Sequence, residues 1–98
     1  MAKKIIWSLK SQIDRKNILH YWNQRNKSNR YSIKLNKLFK QASKLISKYL
    51  KIGRLTDQEN IRVKIVRDYL IIYEEHETEV HILTIWDSRQ NFGNIELK

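Results

Sequence analysis

The sequence predicts an α+β domain in which two antiparallel helices pack on one face of a small, mainly antiparallel four-stranded sheet. Three observations support this β-α-α-β-β-β order. One short strand-like segment opens the chain, two segments with helical spacing of apolar residues follow, and three strand-like segments joined by tight turns come last. Helices grouped on one face of such a sheet let both layers bury their apolar sides. A length of 98 residues corresponds to one domain, which we expect to span residues 1–98.

The first strand and the first helix are predicted over residues 4–9 and 12–26. The segment KIIWSL is short and rich in β-branched and aromatic residues, as strands are. Ser11 is the expected N-cap of the helix. The apolar residues of the helix recur at roughly helical spacing: Ile13, Ile18, Tyr21 and Trp22. We expect Trp7 and Trp22 to lie in the core, because this small domain has few large side chains.

The second helix is predicted over residues 31–51 and has the strongest periodic pattern in the chain. Ser28 or Asn29 is its expected N-cap, and Gly53 suits the left-handed position after its end. The predicted apolar face contains Leu35, Leu38, Phe39, Ala42, Leu45, Ile46 and Tyr49. The opposite face carries Lys37, Lys40, Lys44, Lys48 and Lys51. Such a face is ordinarily the solvated side of a helix, but lysines without an intervening acid repel one another and would be stabilised by an anionic partner.

Three further strands are predicted over residues 61–66, 69–74 and 80–86. In the first of these, Arg62 and Lys64 alternate with apolar residues. If the helices cover the apolar face, these two charges point to solvent or to a partner. The middle segment, YLIIYE, is apolar on both faces, which predicts a central strand.

The composition is that of a globular protein with an uneven charge. Hydrophobic residues make up 41% of the chain, cysteine is absent, and no apolar run approaches the ~18 residues that a membrane span needs. The start of the chain lacks the long apolar stretch of a signal peptide, so we expect a cytoplasmic protein without a membrane contact. The net charge is +10, which divides into +14 for residues 1–54 (fifteen Lys/Arg and one acid) and −4 for residues 55–98 (five Lys/Arg and nine acids). This excess favours an anionic partner.

A polar cluster follows the last predicted strand and consists of Asp87, Ser88, Arg89, Gln90 and Asn91. A strand that ends in such residues at the rim of a sheet is a common way to build a site. One interpretation is a capped strand end in which Asp87 and Arg89 are paired, since exposed charge pairs are common and weak. The other is contact with a target, in which Arg89 is the main contact.

Several segments, taken together, resemble the RelE/ParE family of bacterial toxins, which includes plasmid stabilisation proteins. They are IIWS near the start, Tyr21-Trp22, IGR at 52–54, RDYLIIYE at 67–74 and VHILTIWDSRQN at 80–91. The resemblance implies the toxin of a type II toxin–antitoxin module, which stops growth when free and is silent when bound to a cognate antitoxin. The candidate contacts for an acidic antitoxin segment or another polyanion are Lys37, Lys40, Lys44 and Lys48.

Members of this family differ in their target. RelE-type members cut messenger RNA inside the ribosome, whereas ParE-type members poison DNA gyrase and are not nucleases. The basic positions of the RelE-type site fall on Arg62, Lys64 and Arg89 in this chain. A third-strand arginine position falls on Leu70 and a late tyrosine position falls near Ile95, so two elements of that site are missing. The resemblance therefore favours the ParE-like pattern.

The sequence leaves three functions open. The first is a gyrase poison that is not an enzyme, the second is a ribosome-dependent messenger RNA endoribonuclease, and the third is a non-toxic basic nucleic-acid-binding module or an inactive toxin. The candidate target-binding residues are Arg62, Lys64, Asp87, Arg89, Gln90 and Asn91. No cofactor is expected. No metal is expected either, because His20, His76 and His81 lack metal-ligand spacing.

Overall fold

The computed structural model describes residues 2–89 and has two helices on one face of a five-stranded sheet. In chain order the elements are β1 (Lys4–Trp7), α1 (Leu9–Asn26), α2 (Arg30–Lys48), β2 (Arg54–Leu55), β3 (Ile61–Val66), β4 (Tyr69–Glu75) and β5 (Glu79–Asp87). The strands lie in the order β1-β5-β4-β3-β2, and β1 runs parallel to β5 while the other neighbours are antiparallel. The predicted α+β class and element order are confirmed. The sheet has five strands rather than the expected four, because the two-residue strand β2 pairs with β3. Two residues are too few to show an alternating pattern in the sequence.

The first helix begins one turn earlier than the sequence predicts. Ser8 is the N-cap, in an extended conformation, and its hydroxyl oxygen accepts a hydrogen bond from the Ser11 amide at 3.0 Å. Ser11 is fully buried in the first turn and donates its own hydroxyl to the Ser8 carbonyl at 2.9 Å. The prediction of Ser11 as the cap was wrong because two serines three residues apart give the same local signal.

The second helix buries a face that is rotated from the predicted one. Leu35, Phe39, Ala42 and Ile46 are buried as expected, but Leu45 and Tyr49 are 43% and 61% exposed. Ser32, Ser43 and Ser47 take the buried positions instead, and their hydroxyls donate to the carbonyl oxygens of Asn29, Lys40 and Lys3. Hydrogen-bonded serines can be buried at little cost. The rotation leaves Leu45 and Tyr49 at the surface beside the lysines.

The second helix ends at Lys48, three residues before the predicted end, and Tyr49 is its C-cap, so Gly53 does not occupy the position after the helix as predicted. Its φ does not lie in the left-handed region. A Cβ atom at this position would lie 2.6 Å from the Tyr73 hydroxyl oxygen and 2.8 Å from the Val63 carbonyl oxygen. The Gly53 amide donates to that hydroxyl at 3.0 Å, and the hydroxyl donates to the Leu50 carbonyl at 2.7 Å. Glycine is therefore needed for close packing of the chain against a buried tyrosine.

The sheet is apolar on both faces, and this overturns one prediction. The main core lies between the helices and one face, whereas Ile61, Val63 and Ile72 form a smaller cluster on the other face. Arg62 lies opposite Tyr73, a main-core residue, and Lys64 lies opposite Ile71, another. Directly paired residues share a face of the sheet. Arg62 and Lys64 are therefore on the helix side, and the expectation that they point away from it was wrong.

The central position of β4 and the roles of two tryptophans agree with prediction. β4 lies in the middle of the sheet and contributes to both clusters. Trp7 and Trp22 are partly buried and pack against the main core. Neither of the helices formed by residues 2–89 is long and apolar enough to cross a membrane.

Candidate functional site

A cleft opens between α1 and the end of β5. Its volume is about 390 Å³. We call it the β5-end cleft, and its lining residues are Lys10, Asp14, Asn17, Ile18, Tyr21, Tyr69, Ile85, Trp86, Asp87 and Arg89. The lining combines aromatic rings with four charged side chains. Two of the predicted target-binding residues, Asp87 and Arg89, lie at this cleft.

The carboxylate of Asp14 connects α1 to β5 in this cleft. It accepts hydrogen bonds from the buried Thr84 hydroxyl and, at 3.4 Å, from the Ile85 amide, and it forms an ion pair with Lys10 at 3.1 Å. These contacts depend on an irregularity in the pairing of β4 with β5, where Leu83 has no partner residue on β4. The irregularity turns two consecutive residues, Thr84 and Ile85, toward α1. Sequence reasoning missed this residue, and the only available signal was that Asp14 is the single acid among residues 1–54.

Aromatic side chains from α1 and β4 line the β5-end cleft and pack against Trp22. The Trp22 indole N–H donates to the Tyr69 hydroxyl at 2.8 Å, and the rings of Tyr21 and Trp22 meet edge to face with 5.2 Å between centroids. Burial raises the pKa of Tyr69, so its hydroxyl is neutral at physiological pH. Tyr21 is 46% exposed and presents an aromatic surface at the cleft. These contacts orient the side chains of Tyr69 and Tyr21, and they do not involve the exposed part of the Tyr21 ring.

Asp87 and Arg89 form a two-point ion pair at the mouth of the cleft. The Arg89 Nε and Nη2 atoms lie 3.0 and 2.7 Å from the two carboxylate oxygens of Asp87. The Arg89 amide also donates to Asp87 Oδ1 at 2.9 Å, which closes a tight local turn. The hydrogen bond from Arg89 lowers the pKa of Asp87, and the same bond raises the pKa of Arg89, so both remain charged at neutral pH. The Asp87–Arg89 pair of the capped-strand interpretation is present, while Gln90, Asn91 and Ile95 lie outside the described residues.

The structure does not bring Arg62 and Lys64 together with Arg89. The Arg62 guanidinium donates to the Gly53 carbonyl at 2.9 Å, near the far end of β3. Arg62 is four residues from Val66, which pairs with Tyr69 on β4, and Tyr69 pairs in turn with Asp87 on β5. Four strand residues span about 13 Å. The two arginines therefore occupy different parts of the sheet.

A basic groove lies between β1 and the second half of α2. Its volume is about 650 Å³. We call it the β1–α2 groove, and it is lined by Ala2, Lys3, Ile5, Gln41, Lys44, Leu45, Ser47 and Lys48. The four predicted contact lysines, Lys37, Lys40, Lys44 and Lys48, are all exposed, and none forms an ion pair within residues 2–89. In the sheet formed by residues 2–89, β1 is an edge strand, so one side of its backbone faces no other described strand.

The histidines of the β4–β5 hairpin pair with their own strand neighbours. The rings of His76 and His81 lie with 4.1 Å between centroids and are tilted by 32°. Each Nε2 contacts a glutamate, Glu74 for His76 and Glu79 for His81. Over the described part of the chain, no group of three or more His, Cys, Asp or Glu side chains could hold a metal ion.

Comparison with known proteins identifies the family. The model of the ParE toxin of the type II toxin–antitoxin system parDE matches residues 5–92, about nine-tenths of the chain. This chain belongs to the ParE toxin family. A solved structure described as the chromosomal ParDE toxin–antitoxin system from P. aeruginosa is similar in fold, with a TM-score of 0.78 and 14% sequence identity over 88% of this chain and 96% of that one. A search of curated proteins finds no match.

Family membership confirms the sequence-based recognition of a RelE/ParE toxin and the choice of the ParE-like pattern over the RelE-like one. As the toxin of a type II module, this ParE protein has a cognate antitoxin as its partner.

Proposed function

We propose that this ParE toxin inhibits growth by binding DNA gyrase through the β5-end cleft, with Arg89 as the main contact. One observation carries the proposal: the basic groups that a ribonuclease site would need lie apart, whereas Arg89 lies beside aromatic side chains at an open cleft. Leu70 supports the same choice, because it packs with the cluster on the face of the sheet away from the helices and carries no charge.

The groups around Arg89 are poorly suited to proton transfer at neutral pH. Metal-free RNA cleavage needs a base for the 2′-hydroxyl proton and an acid for the leaving oxygen. The pKa of Asp87 is lowered by the hydrogen bond from Arg89, so it is not an acid near pH 7. The pKa of Tyr69 is raised by burial, so it is not a base there. The cleft is better suited to binding than to catalysis.

The chemistry of the cleft favours a protein target. Arginine and aromatic residues are enriched at the positions that contribute most to protein–protein binding. The Arg89 side chain is 57% exposed and Tyr21 is 46% exposed, and both border the same cleft. A partner that covers them would remove apolar ring surface from water and pair with the guanidinium.

For the antitoxin, we propose an acidic amphipathic segment bound along the β1–α2 groove. Its apolar side chains would contact Ile5 and Leu45, and its carboxylates would pair with Lys44 and Lys48. The open edge of β1 offers backbone groups to an added strand. Relief of repulsion among unpaired lysines makes the bound state favourable and makes binding sensitive to salt.

Induction of the toxin without its antitoxin tests the choice of target. Gyrase poisoning predicts double-strand DNA breaks and altered supercoiling while messenger RNA stays intact. Shortened messages without DNA damage would establish the ribosomal ribonuclease instead, and normal growth would exclude both. Ser88→Ala is a matched control for Arg89→Ala, because Ser88 is exposed and adjacent in the chain. Only the arginine variant should lose growth inhibition.

A further inference from the structure

The guanidinium of Arg89 makes a two-point contact with Asp87, although its side chain is more than half exposed. Two of its five N–H groups, one on Nε and one on Nη2, bind the two oxygens of Asp87. Three N–H groups remain, and they have no acceptor among residues 2–89. The bound edge of the guanidinium faces Asp87, so the free N–H groups lie on its other edges, and Arg89 is one of the residues that line the β5-end cleft.

We propose that Asp87 is a positioning residue, which fixes the Arg89 guanidinium so that its free N–H groups meet an acceptor on the target protein. The proposal rests on the proposed role of Arg89 in target binding. A free arginine side chain loses rotamer freedom when it binds, and a side chain that is already fixed does not. The geometry of a two-point arginine–carboxylate pair also sets the plane of the guanidinium, which a single contact cannot do.

The attachment of Asp87 to the sheet supports this role. Asp87 is the last residue of β5 and lies opposite Tyr69, whose side chain is buried in the main core. The Ser88 amide donates to the Asp68 carbonyl at 2.8 Å, so the chain just beyond the strand is also bound to the turn between β3 and β4. The carboxylate therefore sits on a rigid element, and the arginine that it holds inherits that rigidity.

The Asp87→Asn variant separates positioning from folding. Asparagine keeps an oxygen that can accept from the Arg89 amide, so the local turn survives, but it cannot form the two-point ion pair. Two measurements are needed on the full chain: growth inhibition at matched expression level, and the ¹⁵N relaxation of the Arg89 Nε–H group in the purified protein. The relaxation reports order of the guanidinium directly, and the potency reports whether that order contributes to target binding.

We expect the Arg89 Nε–H group to be ordered in the wild-type toxin and mobile in Asp87→Asn. In the variant, one side chain must be ordered when the target binds, and this entropy cost predicts a fall of about threefold to tenfold in growth-inhibiting potency. Ser88→Ala should leave both readouts unchanged. Unchanged or increased potency with a mobile Arg89 would overturn the proposal, and so would an Arg89 that stays ordered in Asp87→Asn, whatever its potency. Full toxicity of Arg89→Ala would instead refute the proposed role of Arg89 itself, which keeps the two failures distinct.

Discussion

Substitution of Gly53 by alanine should strongly destabilise this toxin. The new Cβ would lie 2.6 Å from the Tyr73 hydroxyl oxygen, 2.8 Å from the Val63 carbonyl oxygen and 2.9 Å from Tyr73 Cε1. Tyr73 is fully buried, so it cannot swing into solvent to make room. Overpacking of a close-packed site costs about 1–3 kcal/mol, and each hydrogen bond of the displaced hydroxyl adds about 1 kcal/mol. These losses sum to about 3–5 kcal/mol, and we expect a net fall in the free energy of unfolding of about 2–4.5 kcal/mol once the smaller freedom of the unfolded chain is subtracted.

Urea unfolding followed by tryptophan fluorescence measures this loss. Ala has less backbone freedom than Gly in the unfolded chain, which offsets about 0.4–1 kcal/mol of the effect. The double variant Gly53→Ala with Tyr73→Phe should show non-additive energies, because the second change removes the nearest clashing atom. Gln41→Ala, at an exposed position on α2, is the control. A loss below about 1 kcal/mol for Gly53→Ala would refute the steric reasoning.

Three further predictions concern the cleft, the buried tyrosines and the antitoxin surface. Asp14→Ala removes the acceptor of the buried Thr84 hydroxyl and the contact with the Ile85 amide, and should lower the free energy of unfolding by about 2–4 kcal/mol in urea, while Asp14→Asn should cost less; equal effects would contradict the account. Burial raises the pKa of Tyr69 and Tyr73 in the folded state, so their contribution to stability should be constant below pH 10 and fall above it, by up to about 1.4 kcal/mol per pH unit for each tyrosine until its folded pKa is reached; equal stability at pH 8 and pH 11 would contradict this. Lys44→Glu should weaken antitoxin binding about threefold to tenfold at low salt by calorimetry, and Lys27→Glu, outside the β1–α2 groove, should not.

The helices and their order follow from the sequence because long periodic segments leave few alternatives. Details that depend on a single residue did not follow from the sequence. Ser8 and Ser11 are equivalent as N-cap signals until the direction of the entering strand is known. The apolar pattern of α2 could not reveal that three serines would be buried, because hydrogen bonds to nearby carbonyls make that possible only in the folded helix.

The sheet face of Arg62 was wrongly predicted because the alternation in β3 does not say which face the helices cover. Both faces of this sheet are apolar, so the side with Ile61 and Val63 looked like the core side. Long basic side chains can lie along the edge of a core with their charged ends in water, and alternation alone does not exclude that.

Local and distant contacts of the candidate site differ in how far the sequence predicts them. Asp87 and Arg89 are two residues apart, so their pairing follows from the sequence. Asp14 and Thr84 are seventy residues apart, and their contact depends on an irregularity in β5 that no local pattern predicts.

The most direct test of the central claim is an assay of purified gyrase with the purified toxin. We predict that the wild-type protein and Ser88→Ala inhibit supercoiling and trap cleaved DNA, and that Arg89→Ala, folded by circular dichroism, does neither. Unaffected gyrase with the wild-type toxin would contradict the proposed target. Equal inhibition by Arg89→Ala would contradict the assignment of the β5-end cleft as the contact surface.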